Sequence, residues 1–161
     1  MYKKIAVPLD GSELAECVFP HVKAIAGSSD KPLVMLVQAV EPIAIPYGRQ
    51  VTGISSIEQL KRFEAHHRVE AERYLKKVEA RLRKDGLNTV THIINGKAAV
   101  AISDFVEKNK ADLLVLATHG RSGISRLVWG SVADHIIRSV HIPIMLIRPT
   151  GCSGTVKVLK S

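Results

Sequence analysis

The chain has 161 residues, a length that fits one domain with enough apolar core to fold without a disulfide or a structural metal. Its net charge of +8 invites a nucleic-acid partner, but basic residues in 61–84 are interleaved with glutamates and the aromatic residues form no base-stacking cluster, which disfavours that class. Cys17 and Cys152 match no metal or redox spacing, and neither a signal peptide nor a long apolar run is visible, so we expect a reduced, soluble, cytoplasmic protein.

The first part of the chain predicts a strand, a helix and a second strand. The first strand is expected at residues 2–9, and Asp10 follows at its carboxyl end. Ser12 is suited to cap the helix that comes next. The apolar side of that helix consists of Leu14, Val18, Val22 and Ile25, and Gly27 ends it. The unbroken apolar run at 33–40 predicts a second strand that is buried on both faces.

The middle of the chain contains an irregular stretch and the longest predicted helix. Residues 41–56 are rich in proline and glycine, and their position after the carboxyl end of a strand favours a lid. The long helix is predicted at 57–84. Its apolar stripe consists of Leu60, Phe63, His67, Ala71, Tyr74, Leu75, Val78 and Leu82. A third strand is predicted at 88–94, and then a helix at 98–108 buried through Val100, Ile102, Phe105 and Val106.

Residues 111–131 are interpreted as a buried strand at 113–117 that opens into a phosphate-binding loop. Glycines let backbone N–H groups approach a ligand closely, and arginines and hydroxyls supply donors to phosphate oxygens. The residues of these types are Gly120, Arg121, Ser122, Gly123, Ser125, Arg126, Gly130 and Ser131. Ser131 is predicted to cap a helix, with Asp134 completing a capping box, so that the positive end of the helix faces the loop.

The order of elements indicates the fold. A last strand is predicted at 142–147, so apolar strands alternate with amphipathic helices along the whole chain. This pattern predicts a doubly wound α/β domain, Rossmann-like, with a five-stranded parallel sheet and helices on both faces. Residues 1–149 form the single domain in this interpretation, and residues 150–161 form a tail that can add a strand at a dimer interface. Ligands bind at the carboxyl edge of such sheets, where Asp10 and the Thr118 loop both lie.

Two long segments resemble the universal stress protein family. The opening KKIAVPLDGSE resembles the first strand of that family and its adenosine-facing aspartate, and ADLLVLATHGRSG, GSVADHI and PIMLIRP resemble its closing half. Nucleotide-binding members carry a glycine, two residues, a second glycine, nine residues, and then Gly-Ser or Gly-Thr. Ala117, Gly120 and Gly130-Ser131 match this spacing, with alanine in place of the first glycine. Ala117 is expected to have strand dihedral angles, which tolerate a methyl group.

The resemblance implies an adenine nucleotide site and assigns residues to it. Pro8, Leu9 and Asp10 would lie beside adenine and ribose, and the backbone of Ala39 against the base. Ala117 and Thr118 would line the pocket. The residues that would hold phosphates are Gly120, Arg121, Gly123, Gly130, Ser131 and Val132. ATP is the implied cofactor, with Mg²⁺ held through the phosphates.

The implied function is ATP binding by a stress-response regulator with little or no hydrolysis. No Walker motif, two-metal carboxylate cluster or paired catalytic base is visible in the sequence. Two alternatives stay open: an interaction module of the same family that binds no nucleotide, favoured by the alanine at 117, and an adenylate-forming or pyrophosphatase relative. Asp10 can also simply orient Ser12. A homodimer through strand 142–147 is expected, because that strand would be an exposed edge and because the family pairs there.

Overall fold

A parallel sheet lies at the centre of the computed structural model, which describes residues 2–27, 31–42, 54–118 and 130–149, with backbone alone at 54–57. Its five strands pair in the order β3-β2-β1-β4-β5, and every pair is parallel. The strands are β1 (Lys4–Pro8), β2 (Leu33–Val40), β3 (Asn88–Asn95), β4 (Leu113–Ala117) and β5 (Ile144–Ile147). The doubly wound fold predicted from the alternation of strands and helices is confirmed.

The helices cover both faces of this sheet. They are a 3₁₀ helix (Ala15–Val18), α1 (Phe19–Ala26), α2 (Ile54–Lys84), α3 (Ala98–Lys108) and α4 (Ser131–Ser139). Successive residues of β2 point to opposite faces, so Val34 and Leu36 pack among side chains of α1 and α2, whereas Met35 and Val37 pack among those of α3 and α4. Because helices cover both faces of the sheet, the sequences of its strands are largely continuous apolar runs.

The strand order reverses between β1 and β4. Residues Ile5 and Ala6 of β1 are in register with Leu113 and Leu114 of β4. After these paired residues, β1 continues to Pro8 and β4 continues to Ala117. The carboxyl ends of the two strands therefore do not pair with each other. Connections leave these two strands toward opposite faces, which opens a crevice at the carboxyl edge of the sheet.

The boundaries of most elements agree with the sequence, and the first helix differs. β2 and α3 have the predicted bounds, whereas β5 begins two residues later than predicted. The single helix expected after Ser12 is a 3₁₀ turn that runs into α1. Pro20 lies in the first turn of α1 and has no N–H to donate, so a continuous α-helical ladder through this point cannot form.

The long helix differs from the prediction at its start and along its stripe. α2 begins at Ile54, so the last residues of the predicted loop are helical, and residues 43–53 of that loop lie outside the described residues. Phe63 was predicted to be buried, but 57% of its surface is exposed. His67 is also exposed, and among the residues of α2 whose side chains are described the first buried one is Ala71.

Two further findings concern the remaining predictions. Val100 was expected to be buried in α3, but it is 47% exposed, while Ile102, Phe105 and Val106 face the sheet as predicted.

No helix within the described ranges is long and apolar enough to cross a membrane. The predicted tail, 150–161, lies outside the described residues, so its role stays a prediction.

Candidate functional site

A cavity of about 450 Å³ lies in the crevice at the carboxyl edge of the sheet. This volume falls within the range of small-molecule sites. The cavity brings together most of the described residues that the sequence assigned to a nucleotide site: Pro8, Leu9, Asp10, Ala39, Ala117, Gly130, Ser131 and Val132. The other lining residues, which the sequence interpretation did not assign, are Ala15, Gln38, Ala98, Ile102, Leu116, Ala133 and Ile136. The wall is therefore mainly aliphatic, with a few polar groups at defined places.

Asp10 follows β1 and is held by a turn of its own. Its Oδ1 accepts hydrogen bonds from the Ser12 N–H at 2.9 Å and the Ser12 hydroxyl at 2.6 Å. Gly11 between them has φ +86°, a conformation that favours glycine. Ser12 Oγ in turn accepts the N–H of Ala15, the first residue of the 3₁₀ helix, at 3.2 Å, although the N-cap position itself is Leu14 and not Ser12. The turn fixes the position of the Asp10 carboxylate at the mouth of the crevice.

Ala39 presents backbone groups to the crevice. In β2, the N–H of Leu33 donates to Lys3 and the C=O of Val37 accepts from Leu9, so alternate residues of this strand aim their polar groups at β1. Ala39 is two residues after Val37, so its N–H and C=O also point to the side of β1. Since β1 ends at Pro8, which is in register with Val37, the N–H and C=O of Ala39 lie beyond the end of β1 and face the cavity. This donor and acceptor pair is the geometry that a base edge requires.

The N-terminus of α4 lies at the other side of the cavity. Ser131 was predicted as the N-cap, but the cap is Gly130, whose φ of +84° is not helical and whose C=O accepts the Asp134 N–H at 2.9 Å. Asp134 does not complete a capping box either, because its carboxylate binds Arg138 at 3.1 and 3.2 Å. A Cβ added to Gly130 would meet no atom of the described residues within 4 Å.

The N-terminus of α3 also borders the cavity, through Ala98. Here the Ala98 N–H already donates to the Glu41 carboxylate, at 3.0 Å. The two helix ends therefore differ electrostatically: the charge of Glu41 offsets the positive end of α3, whereas the acidic residue in the first turn of α4 is paired with Arg138. An anion in the cavity is favoured at α4 rather than at α3.

Ala117 closes β4 in register with Ile147, and it lines the cavity. Among the described residues other than glycine, positive φ angles occur only at Lys31 and Lys110, so Ala117 has the strand conformation expected from its place in the sequence. The alanine in place of the family glycine therefore adds one methyl group to the wall without straining the backbone.

Tyr74 lies on the α1 and α2 side of Asp10. Burial raises the pKa of the Tyr74 phenol, and the carboxylates of Glu16 and Asp10 raise the pKa further. The phenol is therefore protonated at neutral pH. Tyr74 belongs to α2, so this helix contributes a side chain close to Asp10 at the mouth of the crevice.

Gln38 is the lining residue with polar side-chain atoms that the sequence interpretation missed. It is the only polar residue in the apolar run LVMLVQAV, a signal that an interpretation of this run as a buried strand passes over. The remaining assigned residues differ in status. Thr118 is buried, donates its N–H to Ile147 and is not among the lining residues. Gly120, Arg121 and Gly123 lie outside the described residues. No cluster of possible metal ligands occurs within the described part of the chain.

Comparison with known proteins identifies the family. The model of the universal stress protein family matches residues 1–148. The universal stress protein MJ0531 of Methanocaldococcus jannaschii is 33% identical over 150 residues, which cover 92% of this chain and 83% of that protein. The chain therefore belongs to the universal stress protein family, as its sequence motifs indicated.

Solved structures share the fold. The structure of MJ0577 from M. jannaschii superimposes with a TM-score of 0.76 at 24% identity, covering 93% of this chain and 98% of that one. The universal stress protein of Archaeoglobus fulgidus in complex with dAMP has a TM-score of 0.61 at 22% identity, covering 90% and 97%. Other matched members of the family have been solved with AMP, in Arabidopsis thaliana, and with cAMP. Related proteins of this fold thus bind adenine nucleotides.

Proposed function

We propose that this protein binds ATP in the crevice at the carboxyl edge of its sheet and acts as a nucleotide-dependent regulator of the stress response. The observation that carries the proposal is that three kinds of group converge on one cavity. These are the Asp10 carboxylate, the outward backbone pair of Ala39 and the N-terminus of α4 at Gly130. The adenine nucleotides bound by related proteins of the same fold support it.

Each group suits one part of the nucleotide. The C=O and N–H of Ala39 match the amine and ring nitrogen on the edge of adenine. The Asp10 carboxylate, oriented by Ser12, accepts hydrogen bonds from ribose hydroxyls. The N–H groups at the start of α4 and the Ser131 hydroxyl donate to phosphates, because the N-terminus of a helix favours negative charge. Arg121 in the predicted loop would add a fork of donors, and Mg²⁺ would arrive with the phosphates.

The proposed role is binding with little or no hydrolysis. The chemistry of the site favours this role, since among the described lining residues the polar groups are the Asp10 carboxylate, which Ser12 orients, the Gln38 amide, the Ser131 hydroxyl and backbone groups. Such groups orient and bind a nucleotide, and they do not form a pair that would activate water. Nucleotide would instead change the conformation of the predicted lid at 41–56 or of a dimer surface. A homodimer through β5 and a cytoplasmic location are further proposals.

The decisive experiment is denaturation of the nucleotide-stripped protein with and without MgATP, for wild type, Gly130→Asp and Gly130→Ala. The two variants are matched, because both place a Cβ at the same positive φ and only one adds a negative charge in front of α4. Ligand at about a hundred times Kd stabilises a binding protein by roughly 2.7 kcal/mol. We expect this shift in wild type, most of it in Gly130→Ala, and none in Gly130→Asp.

Two outcomes would contradict the proposal. If Gly130→Asp responds to MgATP as wild type does, the nucleotide binds somewhere other than the α4 N-terminus. If wild type does not respond, and no nucleotide is released when the protein as first purified is denatured, the protein is the interaction module that binds no nucleotide.

A further inference from the structure

Gln38 places an unsatisfied amide at the cavity. Its side chain points to the α1 and α2 side of the sheet, as Val34 and Leu36 do two and four residues earlier in β2. Gln38 Oε1 is buried, and within the described ranges of the chain it has no hydrogen-bond partner. Gln38 also lines the cavity. A buried amide oxygen without a donor destabilises a protein, so an amide retained at a cavity wall suggests a ligand that supplies the donor.

The position of Gln38 determines which part of a ligand it would meet. It precedes Ala39 on β2, the strand on the opposite side of β1 from β4. The phosphate end of the cavity, at Gly130 and α4, follows β4 and is therefore at the far end. The Gln38 amide lies against the turn after Asp10, since its Nε2 is 3.7 Å from where a Cβ on Gly11 would stand. Gln38 thus lies between the turn after Asp10 and Ala39, the residue proposed to face the base, at the end of the cavity away from α4.

We infer that Gln38 is a specificity residue that accepts a hydrogen bond from the exocyclic amine of adenine, an inference that rests on the proposed ATP binding. The amine carries two hydrogens, and β2 offers two acceptors on consecutive residues, the Ala39 C=O and the Gln38 Oε1. Phosphate oxygens have no hydrogens to donate to an amide oxygen. Ribose hydroxyls are the partners proposed for the Asp10 carboxylate, which is a stronger acceptor than an amide.

The consequence is selectivity for a purine that carries an amine at position 6. A purine without the amine leaves the Gln38 oxygen buried and unpaired in the complex. Its binding free energy is therefore less favourable than that of a purine whose amine donates to this oxygen. Gln38 therefore adds discrimination to the backbone pair of Ala39, which any residue at that position could provide.

A double-mutant cycle between protein and ligand tests this inference. The ligands are ATP and purine riboside triphosphate, which lacks the amine, and the proteins are wild type and Gln38→Met, which keeps the length of the side chain without an acceptor. We expect Gln38→Met to weaken ATP binding by about five- to tenfold. The affinity for purine riboside triphosphate should change by less than about twofold, because that ligand makes no bond to Gln38.

The near-isosteric variant Gln38→Glu provides a second measurement, since it retains an acceptor. Its charge is expected to weaken both triphosphates together, so that the ratio of the two affinities stays at the wild-type value. Three outcomes would overturn the inference while ATP binding stands. Gln38→Met could weaken the binding of both triphosphates equally, or it could leave the affinity for ATP unchanged. Gln38→Glu could bind the two triphosphates with equal affinity. If wild type binds neither triphosphate, the proposed function fails and this inference fails with it.

Discussion

The Asp10 carboxylate illustrates how one side chain can serve both the fold and the site. The sequence left two interpretations open, a turn that orients Ser12 and a contact with ribose. The structure contains the turn, with both Ser12 hydrogen bonds on Oδ1. These bonds orient the carboxylate, and an ionised carboxylate has about four acceptor positions on its two oxygens. The turn and the proposed ribose contact are therefore compatible, and the first prepares the geometry of the second.

Ala117→Gly tests whether the alanine in the glycine motif affects nucleotide binding. Because Ala117 has strand geometry, glycine is not needed there, and it should lower the free energy of unfolding by about 0.5–1 kcal/mol through backbone entropy. The stabilisation by MgATP should equal that of wild type. Denaturant unfolding with and without MgATP measures both quantities.

Ala117→Val is the matched control for that substitution. Valine suits a strand, but it adds two methyl groups to the cavity wall, so we expect a smaller stabilisation by MgATP without loss of the fold. If Ala117→Gly instead creates a strong response to MgATP that wild type lacks, the alanine does prevent binding.

Single residues of the site were predictable to different degrees, for physical reasons. Gly130 and Ala117 follow from motif spacing, and the strand conformation of Ala117 follows from its place at the end of an apolar run. The cap of α4 was predicted one residue too late, because hydroxyl side chains are strong caps and the sequence does not reveal that Gly130 takes φ +84°. Gln38 was missed because one polar residue hardly changes a strongly apolar run, although it lines the cavity.

At the scale of elements, α2 shows what periodicity can and cannot predict. The apolar stripe was correctly identified for Ala71, Leu75, Val78 and Leu82, which are buried, and the last three pack in one core cluster with residues of β1 and β2. The same stripe failed at Phe63 and His67. Periodicity reports which residues share a face of a helix, and it contains no information on where the neighbouring sheet ends. The helix continues for several turns beyond the sheet it packs on.

Leu75→Ala and Phe63→Ala test this division of α2. Leu75 is 1% exposed, and its truncation leaves a cavity among α1, α2 and the sheet, so we expect a loss of about 2–5 kcal/mol in the free energy of unfolding. Phe63 is the larger side chain, but it is mostly exposed, and its truncation should cost less than about 0.5 kcal/mol. Urea unfolding of the two variants makes the comparison, and a large loss for Phe63→Ala would mean that the first half of α2 is covered in solution.

At the scale of the molecule, the edge of the sheet at β5 has backbone groups that face away from β4. Thr118 and Leu114 donate to the C=O groups of Ile147 and Pro143, so odd-numbered residues of this segment aim at β4. The polar groups of Ile144 and Leu146 therefore point outward. An apolar edge strand of this kind invites pairing with another chain, which is the physical basis of the proposed homodimer.

Leu146→Pro tests the dimer at this edge, because it removes an outward N–H while the odd-numbered residues keep their hydrogen bonds to β4. Leu146→Ala is the matched control: it shortens the same side chain and keeps the N–H. We expect gel filtration with light scattering at micromolar concentration to give dimers for wild type and Leu146→Ala and monomers for Leu146→Pro. A monomeric wild type would contradict the homodimer, whereas a dimeric Leu146→Pro would assign the interface to a surface other than β5. Since β4 is the direct neighbour of β5 and ends at Ala117 in the cavity wall, pairing at β5 would also offer a short path by which nucleotide could influence assembly.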